Sequence, residues 1–286
     1  MPNEVLREEE AMADVIELIG SEASQIQDFM AGLGTAEWSR PSACAGWAVG
    51  DVFAHITQSA STWRDTILRA QAGDANPPPG QRLLRPGERG SDTTAQRAIA
   101  YHQEMGADQL LSAFADGYED LRQVLLNLQP EDWDKPCFHR RGILPTRDYV
   151  GIRLQELTIH SWDIRSAFDA TATVSEPPLP ILVPQAQRWL TNTFRPASPL
   201  TAPVRYRFDV SGPATVRQDV LVTQDDFRIE PVTATHADVT FRCHAGTYLL
   251  FVYGRLPLEQ ALRTGLMEME GDREQASLFN AQFQGV

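Results

Sequence analysis

Apolar residues recur every three to four positions along the first part of the chain and alternate in much of the last part. Met12, Val15, Ile19, Ala23, Ile26, Met30 and Leu33 form one stripe at helical spacing, which stops near Gly34. Val49, Val52, Ile56, Ala60, Trp63 and Ile67 form a second, running to Gly73. Leu110, Leu111, Phe114, Tyr118, Leu121, Leu125 and Leu128 mark a third helix, begun well before Leu110 and ended before Pro130. A fourth runs from about Arg147 to Phe168. Between the second and third lies DANPPPGQRLLRPGERGSD (74–92), too rich in proline and glycine for regular structure. Before the fourth comes EDWDKPCFHRRGILPTRD, a loop with a short strand. Long helices with apolar stripes in phase predict a four-helix bundle.

The pattern changes at SEPPLPILVP (175–184), which reads as a proline-rich linker. Beyond it, VRYRFDV (204–210), VRQDVLVT (216–223) and ADVTFRC (237–243) alternate like strands. Helical patterns lie between and after them: PQAQRWLTNTF, GTYLLFVYG, PLEQALRTG and DREQASLFNAQF. The expected organisation is a helical bundle over residues 1–172 and a small α+β domain with an antiparallel sheet over 183–286.

One stretch of the fourth helix breaks its apolar pattern. In QELTIHSWD (155–163), Glu156, His160 and Asp163 stand three and four residues apart, so they share a helix face between the core-like Leu154, Leu157 and Ile164. Bundle cores are where metal sites are built from ligands on facing helices. Glu156 and His160 can present a carboxylate and an imidazole to one ion, and His55 on the second helix can supply a third ligand. Two histidines and a glutamate leave zinc an open fourth position, as in catalytic sites. By spacing alone, the same pair reads equally as a solvated face or an ion pair, and His55 as a hydrogen-bonded core histidine. Asp163 fits a support for a ligand N–H, a partner for Arg153 or Arg165, or a cap on a backbone group. Asp51, one turn before His55, fits either a ring-orienting role or a first-turn helix-dipole residue.

Composition narrows the function classes. The net charge of −13 argues against nucleic acid and against anionic membrane surfaces. No apolar run approaches the roughly 18 residues needed to span a bilayer. MPNEVLREEEAMADV, at the N-terminus, lacks the basic and apolar regions of a signal peptide. Cys44, Cys137 and Cys243 are far apart and odd in number, which fits a reducing cytoplasm, and Cys44 and Cys137 read as structural thiols. Arg82, Arg85 and Arg89 in the 74–92 loop, with Arg140 and Arg141 before the fourth helix, form a local arginine excess suited to carboxylate recognition. Any one of them also reads as a solvated loop residue. His102, His139, His236 and His244 are expected to play no part in metal binding.

PSACAGWAVGDVFAHI (41–56) resembles the opening of the second helix in the mycothiol-dependent maleylpyruvate isomerase family, a branch of the DinB-like metalloproteins. Cys44, Gly46, Trp47, Val49, Asp51, Val52 and His55 match its pattern. RLQELTIHSWDIRSAF (153–168) is similar to the family's fourth helix, where Glu and His precede a Trp-Asp pair. Gly254-Arg255 and Gly271-Asp272 match loosely towards the end, and Ala48 departs where a helix-capping Thr or Ser is usual. The resemblance implies a DinB-like bundle followed by a small α+β domain, with a divalent metal, zinc, on His55, Glu156 and His160. It also implies mycothiol as thiol cofactor, held with help from the C-terminal domain; Arg255 and Arg82 are the candidate contacts. The implied activity is thiolate attack on a small electrophile, ending in isomerisation or S-transfer. A DinB-like metallohydrolase and a non-catalytic metal- or thiol-binding protein are the alternative classes.

Overall fold

The computed structural model describes residues 2–85, 91–196, 200, 202–232 and 236–284, with the side chains of 2–9, 91 and 92 left aside. The chain divides into two compact units, Met1–Ala172 and Thr173–Val286.

The first unit comprises α1 (Pro2–Ala31), α2 (Thr35–Trp38), α3 (Val49–Gln71), α4 (Ser91–Glu104) and α5 (Ala107–Leu126). A 3-10 turn (Pro130–Asp134), the antiparallel hairpin β1 (Pro136–His139) and β2 (Gly142–Pro145), and α6 (Thr146–Arg165) follow. Helices α1, α3, α5 and α6 make the bundle, with α1 and α3 each packed on both α5 and α6. Their facing stripes are the ones the periodicity marks: Ile19, Ile26 and Met30, then Val52, Ile56 and Ile67, then Leu110, Phe114 and Leu121, then Leu154 and Leu157, all buried. Phe53 and Phe114 stack across α3 and α5 with ring centroids 4.7 Å apart.

The expected third helix is in fact two. The chain breaks at Met105-Gly106, where Gly106 is extended and the Gln109 side chain returns to its N–H at 3.1 Å, capping α5. The preceding α4 begins inside the expected 74–92 loop and packs against α3. A Cβ on Gly50 would stand 2.3 Å from the His102 ring, so the glycine permits this close approach. His102 Nδ1 lies 2.7 Å from Asp51 Oδ1 and ties α4 to α3.

The second unit comprises α7 (Leu179–Thr193), β3 (Val204–Ser211), β4 (Val216–Val222), β5 (Phe227–Pro231) and β6 (Val239–His244). Then come α8 (Ala245–Val252), α9 (Leu258–Arg263), β7 (Met267–Gly271) and α10 (Arg273–Gln282). The expected linker 175–184 is therefore helical from Leu179, with Pro184 inside the helix and Leu179, Leu182 and Val183 buried.

The sheet order is β5-β4-β3-β6-β7, and β3 and β6 run parallel, so the sheet is mixed rather than antiparallel. The other pairings are antiparallel. The difference comes from β5. It takes the chain to the outer side of β4, so β6 returns to the free edge of β3 in the same direction. Both unforeseen strands, β5 and β7, are short, polar edge strands with little buried alternation.

Inward-facing rings fill the space between this sheet and its helices. Phe208 lies with its ring centroid 5.3 Å from those of Phe241, Tyr248 and Phe279. Phe251 and Phe279 stack at 5.2 Å.

Gly271 closes β7 with φ of +108°, and a Cβ there would stand 2.1 Å from the Asp238 carbonyl oxygen. Asp272 then caps α10, accepting from the N–H groups of Glu274 and Gln275. We expect Gly271→Ala to destabilise this unit by about 2–3 kcal/mol through backbone strain. Urea denaturation followed by circular dichroism checks this; an unchanged midpoint would remove the constraint.

Candidate metal centre

Helix α3 supplies His55 from a face lined by Val52 and Ile56, and α6 supplies Glu156 and His160 one turn apart. His55 Nε2 lies 3.8 Å from Glu156 Oε2. The rings of His55 and His160 stand nearly perpendicular with centroids 5.1 Å apart. One donor atom from each of the three lies within 4.8 Å of the others. The site is sheltered but open: 16 % of the His55 side chain and 27 % of the Glu156 side chain remain accessible. Trp47 closes one side, its ring 5.4 Å from that of His55.

Electrostatics favour a neutral imidazole at His55 and a carboxylate at Glu156. Burial, then the charge of His160, pushes the His55 imidazole down to about 3, outweighing the opposite pull of Glu156. His55 is thus neutral at neutral pH, with a free lone pair. For Glu156, burial opposes ionisation. The charges of Arg153, His55, His160 and Arg140 together overcome it and hold the carboxyl below its usual range. Two imidazoles and a carboxylate are a donor set that fits a divalent ion such as zinc.

Asp163 is fully buried. Its Oδ2 is 2.9 Å from His160 Nδ1 and accepts the Cys44 thiol at 3.1 Å. An Nδ1–H donated to Asp163 leaves His160 Nε2 as the free donor atom. Cys44, His160 and Asp163 also form a cluster with metal-binding donors. Their separations are those of hydrogen bonds, and using His160 Nδ1 as a ligand would leave the buried Asp163 without that donor. Loss of its charge in Asp163→Asn should weaken metal binding about 10- to 100-fold. Competition with a chromophoric chelator measures this, and an unchanged affinity would mean that Asp163 only packs.

Asp51 does not orient His55. Its Oδ1 faces His102 and its Oδ2 accepts the Ala48 N–H at 2.8 Å. This bond caps α3 from the carboxylate side, where Ala48 has no hydroxyl to offer. Arg153 turns to Glu156, with Nη1 3.3 Å from Oε2. The sequence pattern shows Arg153 three residues before Glu156, but not that it is buried.

Among the arginines, Arg82 is exposed and donates to the Leu83 carbonyl, and Arg85 is exposed; Arg89 lies outside the described residues. The Leu84 N–H donates to the Arg140 carbonyl at 2.7 Å, so this loop runs beside the β1–β2 hairpin. The Arg140 charge acts on both His55 and Glu156. Arg141 is half-buried in the hairpin turn. In the second unit, Arg255 is half-buried after α8, its N–H bonded to the Leu250 carbonyl.

Of the other histidines, His102 pairs with Asp51, His139 lies near Tyr149, His236 is exposed and His244 caps α8. Among the described residues, none of these four stands in a cluster of three possible metal ligands. Burial pushes the thiols of Cys137 and Cys243 up to about 12, as inert structural thiols require. Cys44 is only half-buried.

Residues 19–165 match the family described as the mycothiol maleylpyruvate isomerase N-terminal domain. The chain belongs to the mycothiol maleylpyruvate isomerase family. Residues 199–284 match the SCP-2 sterol transfer family. The chain is similar to the crystal structure of the mycothiol-dependent maleylpyruvate isomerase, with a TM-score of 0.61 and 17 % identity, over 85 % of this chain and 89 % of that one. A variant of that isomerase with one histidine replaced by alanine matches with a TM-score of 0.60 and 16 % identity over the same shares. At these identities the likeness establishes the fold: a helical domain followed by an α+β domain of the SCP-2 kind. No curated protein sequence matches the chain. No helix among the described residues is long and apolar enough to cross a membrane.

Proposed function

We propose that the protein is a zinc-dependent enzyme that activates mycothiol for attack on an electrophilic small molecule, with isomerisation or S-transfer as the outcome. The observation that carries this reading is the convergence of His55, Glu156 and His160, with the two imidazole donors and the carboxylate within reach of one ion. Zinc with three protein ligands and an open position holds a bound thiol as thiolate at neutral pH.

The chain's own residues do the rest. His55 offers a neutral donor, and Asp163 holds the His160 ring through Nδ1. Arg140 adds positive potential that favours an anionic group near the ligands. Residues 1–172 carry the metal site in this reading. Residues 183–286 supply selectivity for the thiol through polar contacts, with Arg255 in that role, and Arg82 is the other candidate thiol contact. Free thiols at Cys44, Cys137 and Cys243 suit a reducing cytoplasm.

The test is thermal. A ligand that binds the native state raises apparent stability, by about 2.7 kcal/mol at a hundred times its Kd. Zinc-loaded protein should melt higher with mycothiol than with an equal concentration of cysteine. An equal rise with both would remove the selectivity, and no rise with either would favour a hydrolase or a passive metal binder.

A further inference from the structure

Among the described residues Arg153 is the largest fully buried side chain, 1 % exposed, and it sits in the bundle core rather than at a mouth. It stands three residues before Glu156 on α6, on the same face. Its Nη1 is 3.3 Å from Glu156 Oε2, the same oxygen that faces His55 Nε2 at 3.8 Å. Its Nη2 donates to the Tyr118 hydroxyl on α5. The guanidinium carbon lies 5.3 Å from the ring centroids of both Trp63 and Tyr118, and Trp63 is in turn backed by Tyr149 at 4.2 Å. Residues from α3, α5 and α6 thus fix the plane of one guanidinium, and its ionic contact is the Glu156 carboxylate.

Stability alone does not account for such an arrangement. A buried ion pair is on average no better for folding than apolar side chains of the same volume. Here the pair does something apolar residues cannot. A carboxylate oxygen has two acceptor directions, so Oε2 can accept from Arg153 on one and face a metal with the other. With Arg153 locked by Tyr118, Oε2 has one acceptor direction left, and His55 Nε2 lies 3.8 Å from that oxygen.

We propose that Arg153, tethered by Tyr118, is a positioning residue that presents Glu156 to the metal. This rests on the metal reading of His55, Glu156 and His160 given above. Metal-free proteins, titrated with zinc against a chromophoric chelator, provide the test. Arg153→Met should weaken zinc binding about 10- to 100-fold, as loss of a ligand's supporting partner does. Arg153→Lys, which keeps the charge without the fork, should recover part of the loss.

Tyr118→Phe removes one oxygen from the tether and should weaken zinc binding severalfold. This variant carries the test should Arg153→Met fail to fold. The metal-free variants should lose some stability, because each leaves a buried polar group without its partner. A purely structural role for Arg153 would lower the melting points and leave the zinc affinity of the folded protein unchanged. Wild-type protein that binds no zinc would overturn both the proposed function and this inference. Wild-type protein that binds zinc, with Arg153 and Tyr118 variants binding it equally well, would overturn the inference alone.

Discussion

The His55→Ala protein is expected to lose stoichiometric zinc. His55 is the one proposed ligand drawn from α3, and without it only a carboxylate and an imidazole one turn apart on α6 remain. Zinc binding to a four-ligand site is worth about 10–16 kcal/mol, so one ligand accounts for roughly 3 kcal/mol, or about a hundredfold in affinity. At limiting free metal that is the difference between a full site and an empty one. The fold should survive, because His55 is partly exposed and lies among intact core residues Val52, Phe53 and Ile56. Metal analysis after dialysis, with circular dichroism as control, gives the answer. Full metal content in the alanine variant would mean that the ion sits elsewhere.

Phe279→Ala is expected to cost the second unit about 3–5 kcal/mol, the usual penalty for emptying a large aromatic site in a packed core. Phe279 is fully buried and meets the rings of Tyr206, Phe208, Phe241, Phe251 and Phe283, so no single neighbour can collapse into the space. Urea unfolding of the full chain should show the loss. Zinc content should be unchanged, because the three proposed ligands belong to Met1–Ala172. A loss below about 1 kcal/mol would show that the aromatic cluster repacks.

The legible parts of the chain were those where burial follows a strict period. The stripes around Ile19, Ile56, Leu121 and Leu157 face one core, and alternation at Tyr206 and Phe208 or Val239 and Phe241 marks the inner strands. The helical spacing of Glu156 and His160 was legible for the same reason. What escaped was decided by partners far away in sequence. β5 and β7 are edge strands whose pairing, not whose pattern, makes them strands. The break at Gly106 splits a continuous apolar run because Gln109 can cap there.

Asp51 illustrates the same limit in the site. Its spacing from His55 suits a supporting contact, yet His102 on α4 takes the carboxylate instead. Arg153 could be seen beside Glu156 in sequence, but only the convergence of Trp63 and Tyr118 on it makes it a core residue.

The central claim, a metal on His55, Glu156 and His160 that takes a thiol in its open position, is tested most directly by cobalt substitution. Cobalt occupies the same kinds of ligand as zinc but reports its own coordination in visible absorption. Titrating the cobalt-loaded protein with mycothiol should bring up a thiolate-to-metal charge-transfer band that saturates at one thiol per metal and is missing in His55→Ala. Cobalt bound at one equivalent with a spectrum unmoved by mycothiol would contradict the account.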